Sequence, residues 1–236
     1  MKCYFCGSHI YDRYYEDHFG TVSCLKCVEN NIVDACDECG RFVRPRRYVI
    51  SDGRVICDLC RKASMAPDVP QEWFKNQAEA FLNSIGFNLD LSQVRIYNAE
   101  SEDMNRYMKL PGLDSDLGFH MPFQDDKNDI YIRAYMSKTH YTGVLIHELT
   151  HLWQYQNCVY GIPNVFLEGM SQLTSYFFYK AIYEAKKSPV AKRQMDVIIS
   201  REDEYGVGFR EVMQVFKASG WDGVRAEARR LAKNVK

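Results

Sequence analysis

The chain has 236 residues, 46% of them hydrophobic, and a formal net charge of −1 at pH 7. This length and apolar content suit one full domain with its own core plus a smaller one. No apolar run approaches the roughly 18 residues of a membrane span, and the first residues do not form a signal peptide. We therefore expect a cytoplasmic protein without membrane contact, whose nine cysteines bind metal and do not form disulfides.

Eight of these cysteines form four Cys-x-x-Cys pairs in the first 60 residues: Cys3/Cys6, Cys24/Cys27, Cys36/Cys39 and Cys57/Cys60. The last two pairs repeat the first two at an offset of 33 residues, and Gly7 matches Gly40. Cys-x-x-Cys-Gly is a tight knuckle that directs two thiolates at one centre. Each copy is therefore predicted to bind one structural zinc ion through four sulfurs, in preference to a set of buried free thiols.

The cysteine-rich segment is not basic overall. Residues 1–66 contain 10 Lys and Arg and 9 Asp and Glu, and each four-thiolate zinc adds a formal charge of about −2. Arg44-Pro45-Arg46-Arg47 is a local basic cluster, whereas phosphate binding generally needs several such charges along one face. We interpret the cluster as a solvated hairpin edge and expect no nucleic-acid partner.

The composition changes after Cys60, where "RKASMAPDVPQ" contains Pro67 and Pro70 and few residues that could pack. Such a segment is typical of a linker. The sequence predicts a cysteine-rich module at 1–62, a linker at 63–70 and a second domain at 71–236. We expect few contacts across the linker, so that the second domain folds without the module.

The second domain contains strand patterns and then helical patterns. Pro70 suits the first turn of a helix that ends at Gly86. Alternating residues predict a strand at 94–97 and another from Asp129, after a polar turn at 124–128. From Ser137 onward the chain is predicted to be helical, over 139–156, 164–187, 189–203, 208–218 and 222–234. The predicted fold class is α+β, with a small sheet followed by helices.

The segment "VLIHELTHLWQYQ" (144–156) contains His147 and His151, four residues apart on one helix face, so that both imidazoles point to one centre. Glu148 is rotated from His147 by about 100°, which keeps its carboxylate beside a metal, where it can hold a water. This arrangement is typical of zinc peptidases. The alternative is a helix whose histidines are solvated or satisfied by structural contacts.

A catalytic zinc generally takes three protein ligands and leaves one position for water. No histidine follows His151, and Cys158 lies about 10 Å further along the helix axis, which is too far to share the metal. Glu168 fits best, because the intervening residues suffice to end one helix and start another at the N-cap Asn164. Gln172 lies on the same face as Glu168 and is a candidate to orient a ligand histidine.

Three segments, "YTGVLIHELTHLWQ", "LEGMSQL" and "EYGVGFREV", resemble the plant ubiquitin-activated peptidases that regulate organ size. Those proteins carry a LIM domain ahead of a glutamate-type zinc peptidase domain. The resemblance covers the cysteine-rich module and residues from about 117 to 236. It implies a LIM-like module, a zincin-like metallopeptidase domain and partners in the ubiquitin pathway. It also implies the site residues, with zinc ligands His147, His151 and Glu168 and the catalytic base Glu148.

The module differs from the LIM pattern in two places. Eight residues, where a LIM domain has two, separate Cys27 from Cys36, and Cys24 stands where a LIM domain usually has a ligand histidine. We therefore expect its halves to pack differently from those of a LIM domain. Only two residues precede Cys3, so the ubiquitin-interacting segments of the plant proteins have no counterpart here, which leaves regulation by ubiquitin open.

The sequence thus predicts a zinc-dependent endopeptidase for protein or peptide substrates, with one catalytic and two structural zinc ions and a module for recruitment or regulation. Tyr205 is the candidate donor for the oxyanion, against the alternative of a packed tyrosine. The zincin resemblance implies the strand at 130–134 as the cleft edge on which an extended peptide lies.

Two other functions are consistent with the same residues. One is a non-catalytic or latent adapter that binds protein partners through its module. The intact Glu148 argues against it, because a structural zinc site does not need that residue. The other is a DNA-associated zinc protease, a class that usually takes a third histidine, which is missing after His151.

Overall fold

The computed structural model describes residues 1–50, 52–65, 69, 71–100, 117–122, 128–158 and 161–233. It is a mixed α+β structure in which two small cysteine-rich units precede a three-stranded sheet and several long helices. Half of the predicted linker (66–68 and 70) and most of the predicted turn at 124–128 lie outside these ranges. Within them, no helix combines the length and apolar character that a membrane span requires.

The two cysteine-rich units have short elements around each knuckle. The first contains strands β1 (Tyr14–Glu16) and β2 (Val22–Cys24) and helix α1 (Leu25–Glu29). The second contains β3 (Asp34–Ala35), β4 (Phe42–Val43), α2 (Pro45–Tyr48) and α3 (Asp58–Lys62). The basic cluster at 44–47 thus forms mostly the short helix α2 and not a hairpin edge, because Pro45 is placed at a helix start, where its fixed φ is favourable.

The sequence repeat is present in the structure at the same offset of 33 residues. The bridge Lys2–His9 corresponds to Ala35–Phe42, and the pair Glu16–Val22 corresponds to the bridge Val49–Val55. Each knuckle is closed by a glycine with positive φ, Gly7 at 74° and Gly40 at 73°. Glycine is favoured there because a side chain strains this left-handed conformation. The units are therefore two copies of one fold.

The sheet of the second part contains β5 (Val94–Ala99), β6 (Gly118–Pro122) and β7 (Asn128–Arg133) in the order β5-β7-β6. β7 is parallel to β5 and antiparallel to β6. The sequence predicted β5 and β7 but missed β6, whose five residues begin with Gly118 and end with Pro122. The interpretation of 130–134 as the cleft edge is wrong, because this strand lies in the middle of the sheet.

The described residues of the second part also form the helices α4 (Glu72–Ser84), α5 (Lys138–Cys158), α6 (Asn164–Lys186), α7 (Pro189–Ser200) and α8 (Glu204–Lys233). α5 runs through the core, where Leu145, Leu149 and Leu152 are fully buried. The two helices predicted at 208–218 and 222–234 both lie within α8, and the non-helical backbone of Gly220 (φ 63°, ψ −164°) separates them as predicted. Asn164 is the first helical residue of α6, and Pro163 takes the N-cap position.

The cysteine-rich module packs against the second part through buried polar contacts. Glu38, in the second knuckle, is completely buried; its carboxylate accepts the Ser137 N–H at 3.0 Å and contacts His140 Nδ1 at 2.7 Å. Burial opposes ionisation of Glu38, but the charge and hydrogen bond of His140 outweigh it and hold the pKa of this carboxyl below its usual value. These contacts differ from the expectation of few contacts across the linker. They place the carboxylate of Glu38 at the start of α5.

Candidate metal centre

Two groups of four cysteines have the geometry of zinc ligands. The sulfurs of each group, Cys3, Cys6, Cys24, Cys27 and Cys36, Cys39, Cys57, Cys60, lie within 4.8 Å of one another. The Sγ–Sγ distances Cys3–Cys27, Cys6–Cys24 and Cys39–Cys57 are each 3.8 Å. A tetrahedral ion with Zn–S bonds of about 2.3 Å separates its sulfurs by about 3.8 Å, whereas a disulfide bond measures about 2.05 Å. These groups, whose thiols are all free, are compatible with structural zinc.

The third group of potential metal ligands combines two histidines of α5 with one glutamate of α6. His147 Nε2 and His151 Nε2 are 3.1 Å apart, and Glu168 Oε2 lies 3.2 Å from the first and 3.4 Å from the second. A tetrahedral ion with bonds of about 2.0–2.1 Å separates its ligand atoms by about 3.3 Å. The buried Glu168 Oε2 forms no hydrogen bond within the described residues, which is costly unless a cation lies there. The three side chains therefore fit a metal ion.

The charges of this group depend on one another. Burial opposes ionisation of Glu168, but the neighbouring His147 and His151 outweigh it and lower the pKa of this carboxyl far below its usual value. Burial likewise opposes the charged form of His151, but Glu168 outweighs it and raises the pKa of that imidazole to about 9. Without a metal, a proton on His151 therefore balances the charge of Glu168.

Gln154 fixes the orientation of His151. Its Oε1 lies 2.8 Å from His151 Nδ1, and its Nε2 donates to Leu167 O at 3.0 Å. Nδ1–H therefore donates to Gln154, and Nε2 is left to face Glu168. The sequence offered Gln172 as a candidate to orient a ligand histidine; at His151 Nδ1 the partner is Gln154, and Gln172 lines the adjacent cavity. Gln154 could have been found from its spacing, since it lies three residues beyond His151 on the same helix face.

Glu148 lies between α5 and the strand β6. It is 2% exposed, and the backbone N–H of His120 donates a hydrogen bond to its carboxylate. Burial raises the pKa of Glu148 above its ordinary value, against the lowering effect of His147 and His151. Gly118 makes room for this carboxylate, because a Cβ atom there would lie 3.0 Å from Glu148 Oε1 and 2.8 Å from Val144 Cγ1.

Tyr205 is brought to the metal group by a close crossing of α6 and α8. A Cβ atom on Gly169 would lie 2.2 Å from the backbone carbon of Gly208, so the two backbones touch at these glycines. Tyr205, one turn before Gly208, has its ring 6.3 Å from the ring of His147, and the Arg201 guanidinium lies 4.3 Å from the tyrosine ring centroid. The structure thus places Tyr205 beside the metal group.

A cavity of about 690 Å³ opens beside the metal group. One wall is a face of α5 that extends from His140 to His147 and Glu148. Another is a face of α7 that extends from Arg193 to Ile198 and is continued by Arg201, just beyond the end of the helix. Glu148 and Tyr205 both line it, together with His147. The cavity therefore connects the candidate metal centre with the cysteine-rich module, whose residues form its far end.

The structure brings together each side chain predicted for the third metal site, His147, His151 and Glu168, with Glu148 and Tyr205 next to them. Comparison with known proteins adds no assignment. No protein-family model, no curated protein and no solved structure matches this chain.

Proposed function

We propose that this protein is a zinc-dependent endopeptidase with a zincin-like, glutamate-type catalytic domain and a LIM-like module. The observation that carries the proposal is the convergence of His147, His151 and Glu168 at the separations of a tetrahedral ion, with the buried carboxylate of Glu148 beside them. A purely structural site does not need a buried acid next to its ligands. This is the arrangement expected of a metal-assisted hydrolase.

Each side chain has a separate role in peptide hydrolysis. Zinc held by His147, His151 and Glu168 would supply a Lewis acid that polarises the scissile carbonyl and lowers the pKa of a water. Glu148 accepts the proton of the attacking water and later gives it to the leaving amine. Its burial supports this role, because a raised pKa brings a carboxyl nearer to the working pH of a proton shuttle.

Two further parts of the site support peptide binding. β6 is an outer strand of the sheet, and the backbone N–H of its residue His120 donates a hydrogen bond to Glu148. We therefore assign to β6 the role of cleft edge that the sequence gave to the strand at 130–134. Tyr205 is retained as the donor to the oxyanion, because its ring lies 6.3 Å from that of His147 and it lines the cavity. The module is assigned to recruitment or regulation, with ubiquitin-pathway proteins as partners on the resemblance alone.

The test compares two glutamate-to-glutamine variants. Glu148→Gln keeps the three ligands, so the fold and three zinc ions per chain should remain, while cleavage of a mixed protein substrate falls by about 10² to 10⁴. Glu168→Gln removes a charged ligand, so the third zinc should be lost, and activity should return partly with excess zinc. Zinc content by elemental analysis and cleavage with and without chelator are measured together.

Glu184→Gln is the matched control, because Glu184 is exposed on α6 and its side chain is 64% accessible. It should behave as the unchanged protein in both measurements. If the unchanged protein binds partners but cleaves nothing, the adapter function replaces the peptidase. If Glu148→Gln loses the third zinc or cleaves at the original rate, Glu148 is not the base.

A further inference from the structure

The far end of the cavity has a surplus of guanidinium groups. Four arginines line the cavity, Arg54, Arg133, Arg193 and Arg201, against three carboxylates, Asp37, Asp52 and Glu148. Glu148 belongs to the metal centre, and the single carboxylate of Asp52 faces two guanidinium groups, Arg54 at 2.7 Å and Arg133 at 3.6 Å. Positive charge is therefore left over for a bound group.

Arg193 and Arg54 each retain one buried donor atom, Nε and Nη1 respectively, without an acceptor within the described part of the chain. Asp37 interacts electrostatically with Arg193 but does not accept a hydrogen bond from Arg193 Nε, and its Oδ2 accepts the Val55 N–H at 2.6 Å. Arg201, by contrast, is already paired with Asp203 at 2.6 Å. Buried guanidinium donors without acceptors are costly, so they indicate a missing anionic partner.

Helix geometry gives the distance from these donors to the metal centre. His140 and His147 line the same cavity and are seven residues apart on α5, which corresponds to about 10 Å along the axis. Arg193 lies at the module end of α7, since the next residue, Gln194, donates to Asp37 O at 3.2 Å. An extended peptide advances about 3.3 Å per residue, so the donors lie within about three residues of the scissile bond.

We propose that this end of the cavity is a specificity subsite in which Arg193 and Arg54 bind a carboxylate of the peptide substrate. This inference rests on the proposed peptidase function. A carboxylate would supply the acceptors that both guanidinium groups lack, through charge-assisted hydrogen bonds. The carboxylate comes either from an Asp or Glu side chain near the scissile bond or from the free C-terminus of a short peptide, and the test separates these sources.

The test uses the zinc-loaded full chain and quenched fluorescent peptides. One set has blocked termini and carries Glu, Gln or Lys at each of the three positions on either side of the scissile bond. A second set has Gln throughout and ends in a free carboxylate or an amide. We expect kcat/KM to be about tenfold to 100-fold higher for one carboxylate source than for its neutral counterpart. An internal Glu preference identifies a side-chain subsite, and a free-terminus preference identifies a C-terminal one.

Arg193→Gln should remove this preference by lowering kcat/KM for the carboxylate peptide toward that of its neutral counterpart, and Arg193→Lys should restore part of it. Arg47→Gln is the matched control, because Arg47 is exposed on the module with 75% of its side chain accessible. The inference is overturned, while the peptidase function stands, if Glu and Gln peptides are cleaved equally and the free-carboxylate and amide peptides are also cleaved equally. A preference that Arg193→Gln does not change overturns it as well.

A peptide-binding measurement tests the carboxylate subsite independently of the proposed peptidase activity. Fluorescence anisotropy of a labelled peptide with Glu148→Gln requires no cleavage. If no peptide is cut by the unchanged protein, the peptidase proposal fails. The subsite is then supported if the carboxylate peptide binds about tenfold more tightly than its neutral counterpart and Arg193→Gln removes the difference. It is overturned if the two peptides bind alike.

Discussion

His151 carries a proton that zinc must displace. The pKa of its imidazole is raised to about 9 because Glu168 outweighs the effect of burial. Below pH 9 the metal-free site therefore holds this proton, and zinc can bind Nε2 only after releasing it. We expect the zinc affinity of the third site to rise about tenfold per pH unit between pH 7 and 9 and to level off above pH 9. Competition with a chromophoric chelator measures this slope.

Glu168→Gln provides the control for this linkage. The variant removes the charge that raises the pKa of His151, so fewer protons should leave at pH 7.5 when zinc binds. Calorimetry in two buffers with different ionisation enthalpies counts the protons. A zinc affinity that does not change with pH, or equal proton release in both proteins, contradicts this account of the site.

The sequence alone predicts the role of some residues of the candidate site but not of others. His147, His151 and Glu148 follow from spacing within one helix, because i and i+4 positions share a face whatever the tertiary structure. Gln172 was a candidate to orient a ligand histidine, and which histidine it can reach depends on how α5 and α6 are rotated against each other. That rotation is set by packing, which spacing within a helix does not determine.

At the scale of elements, the crossing of α6 and α8 at Gly169 and Gly208 aligns Glu168 with Tyr205. Gly208→Ala tests it, because the added Cβ would lie 2.0 Å from Val165 O and 2.9 Å from Gly169 N. Alanine favours an isolated helix by about 1 kcal/mol, but backbone atoms this close force the helices apart, at about 1–3 kcal/mol. We expect a net loss of stability and a weaker third zinc site.

Thermal unfolding and zinc content together measure this effect. Ser219→Ala is the control, since Ser219 is exposed on the same helix and its change adds no atom. Gly208→Ala should lower the melting temperature and the third zinc equivalent, while the eight cysteines keep two zinc ions. A variant as stable as the control, with three zinc ions, shows that the close crossing does not position Glu168.

Helices and strands could be predicted from the sequence where a long run of neighbouring residues carries the pattern. α5, α6 and α7 were predicted to within a few residues, because their periodic apolar residues extend over several turns. β6 was missed because its five residues include Gly118 and Pro122, which are unfavourable in strands. It forms because β7 offers an antiparallel partner and α5 covers it, and neither condition is visible in the local sequence.

At the scale of the whole molecule, the cysteine-rich module and the second part share an interface that the sequence did not predict. The Pro-bounded join suggested loosely connected units, whereas Glu38 contacts Ser137 and His140, about 100 residues further along. Arg54 Nη2 also donates to Ala134 O at 2.6 Å, and Met65 N–H to Met136 O at 2.8 Å. Pairings over such separations depend on the assembled fold, so composition of the linker cannot reveal them.

Glu38→Gln tests whether the module stabilises the start of α5, the helix that carries the metal ligands. The amide keeps the size of the carboxylate but loses the charge opposite His140, and removing one partner of a buried charged hydrogen bond costs about 1–3 kcal/mol. Hydrogen exchange of a peptide spanning 135–145 should therefore become roughly tenfold faster or more, whereas Glu29→Gln, an exposed change in α1, should leave it unchanged. Zinc content is measured in parallel and should not change, because Cys36 and Cys39 are intact. If exchange in this segment stays at its original rate, the module does not hold α5, and residues 71–236 should then fold alone.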